Sequence, residues 1–316
     1  MFLPVRADFP LPGFPALTIL VCIVCTAVFL KQQGDWKEFE FSIERYCDGS
    51  RSRIDSMVLQ RVDRLTGAEI CGQAMYEIHN SPDPDRAIEE LVQAMKPLSG
   101  LSREDSQEYT RQILRDELRR YRSEVPDDPD SKLAYNTASW NPVHMITASF
   151  AHGDWGHIAF NLIFFFAFAA TVEKLAGPLA FLAFVIVCSL LIGVTDSIVS
   201  TLADDHHWTL GLSGVVMGVM GLFAYLIPHG KIRCYYWIIV IFGSVALPGW
   251  LLALWYIGGD AYQLIVRDDH GGINVLAHVA GGVVGYCYGF FFLKSARENA
   301  VRLQKSIDHR QLMPGS

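Results

Sequence analysis

The sequence predicts an all-α, polytopic membrane protein: a bundle of six transmembrane helices with a small helical extramembrane insertion in its first loop. Three observations predict it. Six apolar runs of roughly 16 to 23 residues approach the ~20 that a helix needs to cross a bilayer. Charge is segregated: residues 31–140 hold 38 of the 59 charged side chains, so one polar segment interrupts an otherwise apolar chain. Lysine and arginine also collect in alternate short loops, as they do on the cytoplasmic side of a membrane protein. Lipid offers no partner to a bare amide, so the runs are expected to be helices. A water-soluble domain cannot hide that many apolar runs, and composition excludes collagen, coiled coil and disordered chain. The net charge of −7 leaves no basic face for nucleic acid.

In chain order, the first run covers 14–30. A cleaved signal peptide is the alternative to a retained span. Before the run only Arg6 is basic, offset by Asp8, and the nearest small-residue cleavage site is Cys25-Thr26-Ala27, so a retained span is expected. The polar segment 31–140 reads as a small helical domain. Ile54, Met57, Val58, Val62 and Leu65 keep helical spacing. So do Ile88, Leu91, Val92 and Met95, in a helix opened by Pro84 and closed before Pro97. A third helix starts after Ser102, with Glu104 and Asp105 in its first turn, and runs to about Tyr121. Residues 123–131, with Pro126 and Pro129 among acids, read as a linker. The remaining runs cover 155–172, 178–199, 212–227, 235–257 and 273–293.

Lys174, the pair Lys231 and Arg233, and the tail residues Lys294, Arg297, Arg302, Lys305 and Arg310 mark one side as cytoplasmic. The alternate loops carry Asp204 and Asp205, and Asp260, Asp268 and Asp269 against Arg267. Parity then puts residues 31–140 outside and both termini inside. The expected division is 1–30 for a short cytoplasmic terminus and the first span, 31–140 for the extracytoplasmic insertion, 141–293 for a core of five spans, and 294–316 for a basic tail. Cys22, Cys25, Cys188 and Cys287 lie in apolar runs, and Cys234 at the cytoplasmic edge. Only Cys47 and Cys71 fall outside; on an oxidising face they either pair or remain two free thiols, and sequence leaves both open.

A polar or ionisable group at membrane depth is costly, so each is a functional candidate. His157 and Asn161 stand four apart on one helix face, with His152 five residues before His157. Gly211-Leu212-Ser213-Gly214 opens the fourth run; its glycines strip side chains from around the hydroxyl and leave amides open at a helix start. His278 lies about one turn into the sixth run, and Gly281, Gly285 and Gly289 continue its stripe. Gly214, Gly218 and Gly221 form a matching stripe, and such stripes let two helices approach closely. Glu173 is expected to be a structural anchor and Asp196 to mark a helix end; neither is given chemistry.

A serine beside a histidine is a nucleophile with its base. No third, orienting carboxylate is evident in the sequence, so the expectation is a Ser213–His278 dyad. His157, Asn161 and the Ser213 amide are the candidate oxyanion donors. No His-Glu-x-x-His motif exists, so no metal or cofactor is expected.

In the order His152-x4-His157-x3-Asn161, Val172-Glu173-Lys174 with Gly177, Gly211-Leu212-Ser213-Gly214, and Ala277-His278-x2-Gly281-x3-Gly285, the chain closely resembles the rhomboid family of intramembrane serine proteases. The resemblance covers about 143–293. It implies Ser213 as nucleophile, His278 as base, His157 and Asn161 as oxyanion donors, and His152, Gly211, Gly214 and Gly281 as structural residues near the site. It implies a water-filled cavity open to the outside, and a mobile fifth span and fifth loop that admit substrate. The substrates would be transmembrane helices of other proteins, cut near a small residue, in a lipid bilayer; nothing bears on oligomeric state. A bacterial plasma membrane, with the site towards the extracytoplasmic face, is the expected location. Two positions depart from the family pattern. Val143 and His144 stand where the family carries a Trp-Arg pair, with Trp140 nearby, and Met217 stands where an aromatic residue often stacks on the histidine. The rival reading is an inactive rhomboid-like adaptor that binds membrane proteins without cutting. A transporter, the other rival, would show charged pathway residues at all depths.

Overall fold

The computed structural model describes residues 2–9, 13–48, 70–81, 83–238, 241–266 and 273–312, and most of these are helical. The chain divides into two compact units, Gln33–Lys132 and the combination of Met1–Gln32 with Leu133–Ser316.

The Gln33–Lys132 unit is built from the second half of α1 (Ala16–Asp48), then α2 (Ile70–Asn80), α3 (Pro84–Ala94) and α4 (Arg103–Glu124). The first helix continues well past the expected end at residue 30. No proline follows, and Trp36, Phe39, Ile43 and Tyr46 recur at helical spacing and pack on Met75, Ile88, Val92, Leu114 and Tyr121. The two downstream helices start where their caps place them. Asp83 accepts from the Arg86 amide at 3.0 Å, and Ser102 from the Asp105 amide at 3.1 Å. Arg111 then bridges α4 to Glu89 of α3 at 2.8 Å and draws that carboxyl below its ordinary range. The expected linker is fastened down, since Asp128 accepts from the Tyr76 hydroxyl and Asp130 from the Trp36 indole. Cys47 and Cys71 form a disulfide with their Cα atoms 5.9 Å apart. The helix expected over 54–65 lies outside the described residues.

The other unit holds the apolar helices: the first half of α1, α6 (Trp155–Ala176), α7 (Pro178–Ala203), α8 (Ser213–Leu226), α9 (Gly249–Val266) and α10 (Val275–Phe292). Four of them, α1, α6, α7 and α10, are long and apolar enough to cross a membrane, and α8 is apolar but shorter. The short α5 (Pro142–Thr147) precedes α6, and α11 (Lys294–Leu312) forms the basic tail. Helix α8 sits at the centre: every residue from Gly214 to Phe223 is buried. Glu173, near the end of α6, accepts from the Leu17 amide at 3.0 Å and from the Thr18 amide and hydroxyl at 2.7 Å. A buried carboxylate thus satisfies the open amides at the start of α1, the anchoring expected of it.

Two expectations are corrected. The fold is predominantly helical but not all-α, because β1 (Phe2–Ala7), β4 (Lys231–Ile238) and β5 (Ile241–Pro248) form an antiparallel sheet in the order β1-β4-β5. A pair of two-residue strands, β2 (Tyr135–Asn136) and β3 (Trp208–Thr209), also joins the loops before α5 and α8. The run over 235–257 is therefore not one helix: it is the end of a hairpin followed by α9, which starts at Gly249. Its first half is aromatic and β-branched, Gly243 and Pro248 interrupt any helix, and β1 supplies the missing ladder partner. Arg233 and Asp8, 2.9 Å apart, fasten the β1 end.

The disulfide carries a stability prediction. Peptides containing Cys47 and Cys71 should be recovered as one species by non-reducing mass spectrometry. Replacing both cysteines with serine should cost about 3 kcal/mol in the chain-entropy estimate, read from urea unfolding of the intact protein. Two free thiols in oxidised protein would contradict it.

Candidate active site

The start of α8 is shaped by what it lacks. Gly211 has φ +120°, a conformation that side chains resist, and its amide donates to Ala148 O at 2.8 Å. A Cβ there would lie 2.6 Å from His157 Nε2 and 3.8 Å from Asn161 Nδ2, so glycine is required by space as well as by dihedral. Leu212, at the cap position, gives the helix no side-chain hydrogen bond. The first-turn amides around Ser213 thus stay open, a ready site for negative charge. Ser213 itself is half-buried as the first residue of α8.

The α6 contribution is set by Asp154, which caps that helix by accepting from the His157 amide at 2.8 Å. That bond holds the Asp154 carboxyl below its ordinary range. His157 and Asn161 stand four positions apart on one face of α6, and both side chains reach the Gly211 loop. Asn161 Nδ2 is buried and has no hydrogen-bond partner among the described residues, which leaves a donor free for something that binds there. His152 is buried before the helix starts. Its amide donates to Gln32 Oε1 at 3.1 Å, and its ring meets that of His157 edge to face at 5.1 Å. Burial first, and His157 second, push His152 down to about 4, so it is neutral at ordinary pH.

Helix α10 approaches α8 backbone to backbone. A Cβ on Gly214 would lie 3.2 Å from Ala277 O; one on Gly281 would overlap Gly214 O, and one on Gly285 would overlap Gly218 O. Ser213 and His278 are the chain neighbours of the first pair, so this contact puts them on the same side of one seam. No hydrogen bond joins Ser213 to His278 among the described residues; such pairs are often loose without substrate. Met217 is buried in the core beside this seam.

Two residues of this site were not read from the sequence. Asp260, expected in an acidic loop, lies inside α9, and its Oδ2 is 2.7 Å from His278 Nδ1. The signal was the apolar run resuming after it at Tyr262, Leu264, Ile265 and Val266. Asn274, the residue before α10, caps that helix by accepting from the Ala277 amide at 2.9 Å. An asparagine just before an apolar run is itself a helix-start signal. Its Nδ2 donates to Asp196 Oδ2 at 2.7 Å and to Thr209 Oγ1 at 3.2 Å. Asp196 does not mark a helix end. Helix α7 continues to Ala203, and the carboxylate is fully buried where it holds the cap of the His278 helix. Val143, the first of the two departing positions, is exposed at the start of α5.

Residues 139–295 match the family model of the rhomboid domain. Over 165 residues the chain is 25% identical to a protein named "Rhomboid protein 1, mitochondrial" from Saccharomyces cerevisiae. That stretch covers 51% of this chain and 44% of the yeast protein, so the chain spans less than half of that relative's length. The yeast protein is mitochondrial by name, and it lends no support to the expected bacterial plasma membrane.

The seam makes a packing prediction. Gly281→Ala puts a methyl group against the backbone of α8 and should cost about 1 to 3 kcal/mol. Gly34→Ala in α1 meets nothing within 4 Å and should be neutral or stabilising by up to about 1 kcal/mol. Thermal unfolding in detergent compares the two. Equal behaviour would mean that α8 and α10 do not touch as described.

Proposed function

Residues 139–295 are a rhomboid domain in a multi-pass membrane protein, and from that premise we propose that the chain is an intramembrane serine endopeptidase. The observation that carries the reading is the open helix start at Ser213, flanked on one side by His157 and Asn161 across Gly211 and on the other by the His278 helix across Gly214.

In this reading Ser213 Oγ attacks the scissile carbonyl carbon while His278 takes the hydroxyl proton. The carbonyl oxygen becomes an oxyanion, held by Asn161 Nδ2, His157 and the open amide of Ser213. As the tetrahedral intermediate collapses, His278 hands its proton to the leaving amine. Water then attacks the acyl-enzyme, again through His278, and releases the second fragment. His152, Gly211, Gly214 and Gly281 shape the site without touching the reacting atoms.

In this reading the chain crosses six times, as α1 and α6 to α10, with the basic tail and the N-terminus in the cytoplasm and residues 31–140 outside. The core is 141–293, and Ser213 and His278 then lie in the outer third of the bilayer, where water enters from outside. The fifth span, α9, moves to admit substrate. Substrates are transmembrane segments of other proteins, cut near small residues, and no metal or cofactor takes part.

Ser213→Ala and His278→Ala should each abolish cleavage of a single-span model substrate in folded protein. Asn161→Ala and His157→Ala should slow turnover by about 10² to 10³ while a fluorophosphonate still labels Ser213. Full activity of Ser213→Ala would overturn the protease reading, and a wild type that binds such substrates without cutting them would favour the adaptor.

A further inference from the structure

The sequence yields a serine and a histidine; the structure adds a carboxylate. Helix α9 carries Asp260 one helical turn past Ile257, and α10 carries His278 one turn before Gly282. A Cβ on Gly282 would lie 2.6 Å from Ile257 Cδ1, so the two helices are in van der Waals contact one turn from the Asp260–His278 pair. The antiparallel register that sets Ile257 against Gly282 sets Asp260 against His278. The Oδ2–Nδ1 distance is 2.7 Å, and the two side chains are only 16% and 12% exposed.

An ionised carboxylate accepts and cannot donate, so in this pair the histidine proton sits on Nδ1. Nε2 is then left bare, which is the nitrogen form a base needs towards a serine hydroxyl. When the imidazole takes the serine proton it becomes a cation, and the adjacent carboxylate lowers the energy of that charge in a poorly hydrated place. A carboxylate inside an apolar helix is expensive, and nothing else in the described structure bonds to it. His157 of α6 and Asp196 of α7 also lie within electrostatic reach of His278. His157 carries no carboxylate, and Asp196 bonds Asn274 through Oδ2 with no hydrogen bond to His278 among the described residues.

The geometry points to Asp260 as a positioning residue that fixes the tautomer of His278 and stabilises its protonated form, which makes the site a Ser213–His278–Asp260 triad. This rests on the protease reading of Ser213 and His278. The carboxylate itself takes no proton: the serine proton goes to His278 Nε2 and on to the leaving amine, while Nδ1–H stays bonded to Asp260.

Two measurements on the full-length protein in lipid nanodiscs test it. In the first, Asp260→Asn and Asp260→Ala should lower kcat by about 10² to 10⁴ with KM unchanged, and Asp260→Glu should recover part of that loss. A purely structural anchor would lower the amount of folded protein, not kcat per folded molecule. Wild-type kcat in Asp260→Ala, alongside a dead Ser213→Ala, would overturn the triad and leave the dyad standing. Activity in Ser213→Ala would instead fail the protease reading. The second needs no variant of Asp260 to fold and no substrate. The nitrogen-15 spectrum of wild-type protein, with the His278 signal assigned by its loss in His278→Ala, should show the proton on Nδ1 and a bare Nε2. A proton on Nε2 would overturn the proposal.

Discussion

The close approach of α8 and α10 is the constraint on which the rest of the site depends. Helices normally pack with their axes 8 to 10 Å apart because side chains intervene. Here a Cβ would meet the partner's backbone at Gly214, Gly218 and Gly221 on one helix and at Gly281 and Gly285 on the other, so no side chain from these positions holds the two backbones apart. In lipid, no hydrophobic drive holds two apolar helices together, and dispersion between closely fitted surfaces has to do so. That same fit sets the depth and rotation of Ser213 and His278, since each is one residue away from the seam. The helix that must be held most firmly is also the most enclosed one, α8.

Three carboxylates lie within the apolar helices, and each orients something. Glu173 closes the open amides at the start of α1. Asp196 holds Asn274, which caps α10. Asp260 meets His278 directly. The two that bear on α10 act at different levels, one through the helix start and one on the imidazole itself. A charge that cannot be solvated by water is well spent on a donor whose direction matters, because the bond it makes is strong and short-ranged.

Much of this was legible in the sequence where local rules decide. The expected runs at 155–172, 178–199, 212–227 and 273–293 fall within about a turn of Trp155–Ala176, Pro178–Ala203, Ser213–Leu226 and Val275–Phe292, because a long unbroken apolar stretch decides both that a helix forms and where it lies. The glycine stripes announced a close contact because their spacing follows the helix. What failed was decided by distant partners. Apolarity over 235–257 does not distinguish a helix from a strand, and the strand partner, β1, lies more than 220 residues away in sequence. Asp260 looked like a loop residue because an aspartate usually ends an apolar run, and only its partner His278, on another helix, makes it tolerable there. The disulfide was undecidable for the same reason, since spacing cannot say whether two β-carbons meet.

The cap that Glu173 provides to α1 has a consequence for biosynthesis. A ribosome releases the start of α1 first, but the carboxylate that satisfies its amides lies 155 residues further along. At ordinary translation speeds that is a delay of roughly ten to thirty seconds. Strand β1 waits longer, for Arg233 is 225 residues beyond Asp8. The amino-terminal end of the chain is therefore made first and completed late. Until α6 arrives, the amides at the start of α1 lack the acceptor that satisfies them in the finished fold.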